Sequence, residues 1–382
     1  MKYNFDQLSD RRHTSSIKWD VKENELPMWV ADMDFSVMDE IKEAIVEAAK
    51  QGVYGYSYPV EDYFKAYQSW WERRHNLYID TKDMIYVSGV VSALDSIIRT
   101  LTKENDAVML LTPTYNGFFR VIDNNKRRLV ASPLLLKNDE YVIDYVDVED
   151  KIIKEDVKAI IFCNPHNPIG KIWQKEEIVK LHEITKKHNV FFISDEIHCD
   201  IVEPGFQYVP ALSIGDDVIM AVAASKVFNL AGLQSSLVVI KNHEIHEKVQ
   251  DAFYKEDVGE PNYFAIPANI VAFTQGDTYV DELNVYLKNN KDCVRNFIND
   301  KLPQLKVRSD KATYLMWIVI SSLGMSSDEF VTKLREETGL YVASGTHYGE
   351  AGEGYFRINV ATSFSNVKDA MNRLFSFINK KQ

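Results

Sequence analysis

The passage that decides the fold reads Ala159-Ile160-Ile161-Phe162-Cys163-Asn164-Pro165-His166-Asn167-Pro168-Ile169-Gly170 and then, one amphipathic stretch later, Val190-Phe191-Phe192-Ile193-Ser194-Asp195-Glu196-Ile197-His198. Each apolar run is too short for a buried helix and too continuous for a strand with one wet face. Between them, Lys175–His188 gathers Ile178, Leu181 and Ile184 on one side and charge on the other, the period of a helix. A strand, a helix and a strand in that order predict two parallel neighbours in a sheet covered on both faces.

The same rhythm extends in both directions. Met84–Val87, Ala107–Leu111, Val218–Ala223 and Leu237–Ile240 are further short apolar runs, and Val91–Leu101 places Leu94, Ile97, Ile98 and Leu101 on one helical face. The expectation is an α/β fold whose large domain has a mainly parallel sheet flanked by helices. The C-terminal third changes character. A Lys/Asn-rich helical stretch (Tyr279–Leu302) leads to apolar Thr313–Ile320 and Tyr355–Val360, with amphipathic Ser327–Thr338 between them. That pattern predicts a smaller α+β domain. The expected division is an N-terminal segment, 1–50, packing with the small domain, a large domain over 51–278 and the small domain over 279–382.

Composition narrows the function. The chain has 382 residues, 46% hydrophobic and 12% aromatic, ample for a folded core. Its net charge of −12 lacks the broad basic field that nucleic acid needs. No apolar run reaches the roughly 18–20 residues of a membrane span, and the polar N-terminus has no signal-peptide core. Cys163, Cys199 and Cys293 have no paired spacing, so neither a disulfide framework nor a redox pair is expected. A cytoplasmic protein, binding neither nucleic acid nor membrane, is the expectation.

In open α/β sheets, ligands sit beyond the carboxyl ends of the strands. The residues there are Ser88-Gly89, Thr112 to Tyr115, Asn164 to Gly170, Asp195 to His198, and Ser225-Lys226. A lysine is rarely buried unless paired or reactive, and desolvation makes it a competent amine nucleophile or base. Asp195 could face a cationic ring nitrogen, and Tyr115 could stack on a planar ring. The Gly89-Val90-Val91 turn offers a helix start to a phosphate. An amine, an acid for a pyridinium, a phosphate cradle and an aromatic lid are together what pyridoxal phosphate requires. Plainer readings stand beside these: Asp195 capping the element after it, Asn167 holding a turn, Arg357 paired with a structural carboxylate, Tyr115 in the core.

Taken together, Asn164-Pro165-His166-Asn167-Pro168-Ile169-Gly170-Lys171, Ser194-Asp195-Glu196-Ile197-His198 and Ser225-Lys226-Val227-Phe228-Asn229-Leu230-Ala231-Gly232 resemble the fold-type I aminotransferase superfamily. The fit is closest to its cystathionine β-lyase or C–S lyase (MalY/PatB-like) branch. Val30-Ala31-Asp32-Met33-Asp34-Phe35, Tyr54-Gly55-Tyr56 and Gly352-Glu353-Gly354-Tyr355-Phe356-Arg357-Ile358-Asn359 fit the same branch, in the same order, over nearly the whole chain.

The resemblance implies that Lys226 condenses with the cofactor aldehyde and later moves the substrate Cα proton. Asp195 pairs with the pyridinium nitrogen, Asn167 with the phenolic oxygen, and Tyr115 stacks on the ring. Val90, Val91, Ser225 and a tyrosine of a partner subunit, Tyr56 in preference to Tyr54, hold the phosphate. Arg357 clamps the substrate carboxylate, where Asn167 also lies, and His198 lines the site. Gln234 stands where many aminotransferases have a phosphate-binding arginine, and His198 where they have tyrosine. Both departures follow the C–S lyase branch.

The implied activity is α,β-elimination from L-cystathionine or related cysteine S-conjugates, giving thiol, pyruvate and ammonia, by a homodimer. The alternatives are an aminotransferase on the same scaffold and a pyridoxal-phosphate protein that binds a regulatory protein partner. No metal is expected: His243-x-x-His246, His182 and His188 lie in charged, helical sequence without a clustered ligand set. Gly349, Gly352 and Gly354 lack the strand–turn–helix context of a dinucleotide loop. His166 is expected to line the site, and Cys163 and Cys199 to pack nearby.

Overall fold

A computed structural model describes residues 2–308 and 311–380. Seven strands form the large sheet, in the spatial order Met84–Val87, Ser236–Ile240, Val218–Val222, Phe191–Asp195, Val157–Cys163, Ala107–Thr112 and Arg128–Pro133. Every neighbouring pair is parallel except the two made by Ser236–Ile240, which runs against both neighbours. All six apolar runs read from the sequence are strands of this sheet.

Alternation explains why those runs are apolar throughout. Met109 and Leu111 join one buried cluster while Val108 and Leu110 join another, across the sheet. With helices on both sides, neither face of the strand meets water. The seventh strand, Arg128–Pro133, escaped the sequence reading because it is an edge. Arg128, Leu129 and Pro133 are exposed, so the continuous apolar signature is missing.

A four-stranded antiparallel sheet lies in the C-terminal part, in the order Lys306–Val307, Leu315–Val319, Tyr355–Asn359, Ala343–Ser344. Its core includes Met316, Ile318, Phe356 and Ile358, with Phe330 and Leu334 from the helix Ser327–Thr338. The long helix Asp277–Lys301 serves two cores. Tyr279 and Leu283 pack in the large one, and Val294 and Ile298 in the small one.

The first fifty residues are likewise shared. Leu26 and Met28 pack in the small core, and Leu26–Pro27 pairs with Leu340–Tyr341. Phe5, Met33, Phe35 and Met38 pack in the large one. Between these anchors runs an extended strap whose carbonyls are held by side chains from distant parts of the chain. Arg357 Nη2 donates to Trp29 O at 2.7 Å, Asn359 Nδ2 to Val30 O at 2.6 Å, and Lys18 Nζ to Asp32 O at 3.0 Å.

Among the described residues, no helix is long and apolar enough to cross a membrane.

Candidate active site

Parallel register brings the strand ends level. Cys163 pairs with Asp195, and Asp195 with Ala221, so Asn164, Glu196 and the Ala223–Lys226 turn leave the sheet at one edge. The neighbouring strand Ser236–Ile240 runs the other way, which puts its beginning, Gln234 to Ser236, at that same edge. There a cavity of about 490 Å³ opens.

Val90, Val91, Tyr115, Asn167 and Asp195 line it, as do His198, Ser225, Lys226 and Arg357. The fold thus gathers every predicted site residue of this chain except Tyr56. Tyr56 lies in an irregular stretch, 99% exposed, away from the cavity. Tyr54, the alternative, donates from its hydroxyl to Ala49 O at 2.6 Å and packs against Phe264.

Lys226 Nζ donates to Ala31 O at 2.8 Å and has no ion-pair partner among the described residues. The amine is enclosed by protein and opens only to the cavity. Desolvation therefore pushes its pKa down, with Asp32 and Asp195 opposing and Arg357 assisting. Asp195 is buried, and its carboxyl is pushed up to about 6 by desolvation. Its Oδ1 accepts the Ile197 N–H at 3.1 Å, so it caps the next turn and faces the site as well.

Arg357 occupies Tyr355–Asn359, one of the two inner strands of the small sheet. Phe356 and Ile358 turn into the small core, and strand alternation aims Arg357 at the cavity. Nη1 donates to Asn167 Oδ1 at 3.2 Å and Nη2 to Trp29 O, while the buried Nε has no partner. Among the described residues no carboxylate faces this guanidinium, so the structural ion pair is excluded and an anion is wanted from outside. His198 is buried, its Nδ1 also without a partner, and burial holds its pKa well below the usual range.

The helix Val90–Leu101 buries Val90, Ala93, Leu94, Ile97 and Ile98. Its N-cap, Gly89, provides no side-chain oxygen, so the first N–H groups stay available at the cavity wall. Gln234 lines the cavity too, and its carbonyl accepts from Tyr86 Oη at 3.0 Å.

Several contributors were invisible in the sequence. Gly117 has the Tyr115 ring lying against it: a Cβ there would stand 2.4 Å from Tyr115 Cε1. Glycine thereby sets the ring's position. Gly345 and Gly352 meet just as closely, since a Cβ on Gly352 would stand 2.0 Å from Gly345 O. That contact folds the loop that presents His347 and Tyr348 to the cavity, and the Arg357 guanidinium lies 4.8 Å from the Tyr348 ring centre. Close glycine pairs were the only available signal, and in the sequence they resemble any loop. His166 is buried beside the site rather than lining it, with Nε2 2.8 Å from Pro113 O.

Two of the helical histidines are paired with acids: buried His182 lies 2.8 Å from Asp217 and half-buried His188 2.9 Å from Glu149.

The donor set fits pyridoxal phosphate. An enclosed amine, a buried carboxyl, an uncapped helix start and an unpaired guanidinium match its aldehyde, ring nitrogen, phosphate and the carboxylate of an amino acid. Comparison with known proteins agrees. Residues 24–374 match the family described as aminotransferase class I and II. The chain is 34% identical to the cystathionine beta-lyase PatB of Bacillus subtilis, over 97% of this chain and 98% of that one. It superposes on cystalysin of Treponema denticola, a structure containing pyridoxal 5'-phosphate, with a TM-score of 0.96, 30% identity and 100% of both chains covered. The PLP-bound C–S lyase of Staphylococcus hominis matches with a TM-score of 0.93 and 29% identity over 98% of each chain. With its fold, its cavity and nearly its whole length in agreement, the chain belongs to the aminotransferase class I and II family.

Proposed function

We propose that the protein is a pyridoxal-phosphate-dependent carbon–sulfur β-lyase that cleaves L-cystathionine or related cysteine S-conjugates to thiol, pyruvate and ammonia. One observation carries the reading: a lysine amine held only by a backbone carbonyl, a buried carboxyl and a guanidinium without a carboxylate share one cavity. The similarity to PatB, a cystathionine beta-lyase, supports the choice of substrate.

When bound, pyridoxal phosphate supplies an aldehyde that takes up an amine and a pyridinium that accepts the electron pair left at Cα. Lys226 would hold the cofactor through Nζ. With a substrate amine in its place, the same nitrogen would remove the Cα proton, helped by its lowered pKa. Asp195 keeps a proton on the ring nitrogen. Asn167 has its Oδ1 engaged by Arg357, which leaves its amide hydrogens for the phenolic oxygen. Tyr115 would stack on the ring, and His198 lines the same cavity. The N–H groups of Val90 and Val91, the Ser225 hydroxyl and the helix start hold the phosphate.

Arg357 would grip the substrate carboxylate in a two-pronged pair and so fix the orientation of the Cα–H bond. Loss of that proton and departure of the Cβ thiolate complete the elimination. Hydrolysis of the remaining fragment gives pyruvate and ammonia.

The site is completed by a second copy of the chain in a homodimer, which supplies Tyr56. The exposed run of Val53, Tyr54, Tyr56 and Tyr58 supports this, because apolar surface of that density favours burial against a partner. The protein works in the cytoplasm, where its three free cysteines stay reduced.

The test is an assay with L-cystathionine and no 2-oxo acid. Pyruvate and thiol are expected in equal amounts. A strict requirement for an acceptor would assign the protein to transamination instead.

A further inference from the structure

The segment that carries Asp195 and His198 into the first cavity continues into Cys199 and Asp200, which line a different one. This second cavity, about 630 Å³, is also lined by His75, the last residue of the helix Glu61–His75. His75 Nε2 lies 2.9 Å from Asp200 Oδ1, and Cys199 Sγ 3.6 Å from Asp200 Oδ2. The three ligating atoms all fall within 4.8 Å of one another. Cys199 and Asp200 are buried, and the His75 side chain is 8% exposed. Tyr208 lines the same cavity edge-on to His75, and its buried hydroxyl has no hydrogen-bond partner.

We propose that His75, Cys199 and Asp200 bind a zinc ion. An imidazole, a thiolate and a carboxylate form a borderline donor set that suits zinc. Calcium and magnesium take oxygen ligands alone. Around tetrahedral zinc, with bonds of about 2.0–2.3 Å, ligand atoms stand roughly 3.3–3.6 Å apart. The present separations reach that geometry with movements of little more than about 1 Å.

Trp70 Nε1 donates to Asp200 Oδ1 at 3.0 Å and fixes the carboxylate while Oδ2 turns to the metal. Binding exchanges the Cys199 S–H bond for a sulfur–zinc bond, and the proton passes to solvent. Arg73 and Arg74 also line the cavity. Their charge is met by Asp277 at 2.9 Å and Asp281 at 2.8 Å, respectively. The fourth position faces the open cavity, where a metal-bound water gives Tyr208 the partner it lacks.

The holoenzyme, stripped with EDTA and dialysed against zinc chloride, is the material to test. Elemental analysis is expected to find about one zinc per chain, and X-ray absorption at the zinc edge one sulfur neighbour. Cys199→Ser and His75→Gln, checked for wild-type circular dichroism and cofactor absorbance, should each bind zinc at least about tenfold more weakly. Failure of the wild type to take up zinc, an edge spectrum without sulfur, or unchanged uptake in both folded variants would overturn the proposal. None of these readouts depends on β-lyase activity.

Discussion

Lys18 and Lys226 both carry their amines inside the protein, in regions that treat them in opposite ways. Lys18 is fully buried under the N-terminal strap, with Asp34 Oδ1 at 2.9 Å and Asp32 O at 3.0 Å. Arg11 joins the cluster by pairing with Asp32 at 2.7 Å, and Trp19 Nε1 donates to Asp34. Every charge there has an opposite charge or a dipole against it. Lys226 has one carbonyl and an open cavity. The first arrangement is a fastener. The second leaves a nitrogen lone pair available, because no carboxylate in contact stabilises the ammonium form. Burial by itself identifies neither role; what decides is whether the amine's partners are complete.

The contrast breaks most sharply at Lys226. Lys226→Ala is expected to lower β-elimination by at least about a thousandfold while leaving the melting temperature essentially unchanged. Thiol release and thermal unfolding, measured on the same sample, check both halves. Retained activity would remove the amine from the mechanism. Lys18→Met should do the reverse. It takes from the buried Asp34 carboxylate its nearest cation, leaving Trp19 and the more distant Arg11, and costs about 3 kcal/mol of stability, read from denaturant midpoints. If Lys18→Met unfolds no more readily than Lys226→Ala, the contrast between the two regions fails.

Arg357 tests incompleteness at the other end of the cavity. Arg357→Lys keeps the charge but loses the two-pronged geometry, and kcat/KM for cystathionine should fall about a hundredfold, mostly through KM. Gly117→Ala is subtler. The added methyl displaces the Tyr115 ring, an overpacking cost of about 1–2 kcal/mol, which should release the cofactor roughly tenfold more readily in dialysis.

The smallest effect is a pH dependence. Asp195 titrates at about 6 in the fold against an ordinary value near 3.8. Between those values the folded, cofactor-free protein holds a proton that the unfolded chain has lost. This group's contribution to stability is therefore present below about pH 4 and is lost as pH rises through 6. Asp195→Asn should gain stability relative to wild type between pH 4.5 and pH 7, in melting temperatures of the cofactor-free forms. A constant difference across that range would refute the shifted carboxyl.

The large sheet was legible because its strands are wet on neither face. Ala159–Cys163 or Val190–Ser194 is apolar at nearly every position, and only a doubly covered strand requires that. Arg128–Pro133 shows the converse, since an edge strand keeps polar residues and loses the signal. Lys226, Asp195 and Asn167 were legible for a related reason. Ligands in such sheets gather at strand ends, so the polar residue after an apolar run is already placed.

Sequence order thus determined the sheet, the cavity edge and the chemistry of the groups beyond each strand, because hydrophobic period and strand direction are local properties. Distances between remote segments are not. That Gly117 lies under Tyr115, that the Met28–Phe35 strap is held from both cores, and that His75 meets Cys199 and Asp200 were decided only when helices packed on the sheet. Such contacts depend on side-chain volumes and crossing angles summed over the whole molecule, and no stretch of the chain encodes them alone.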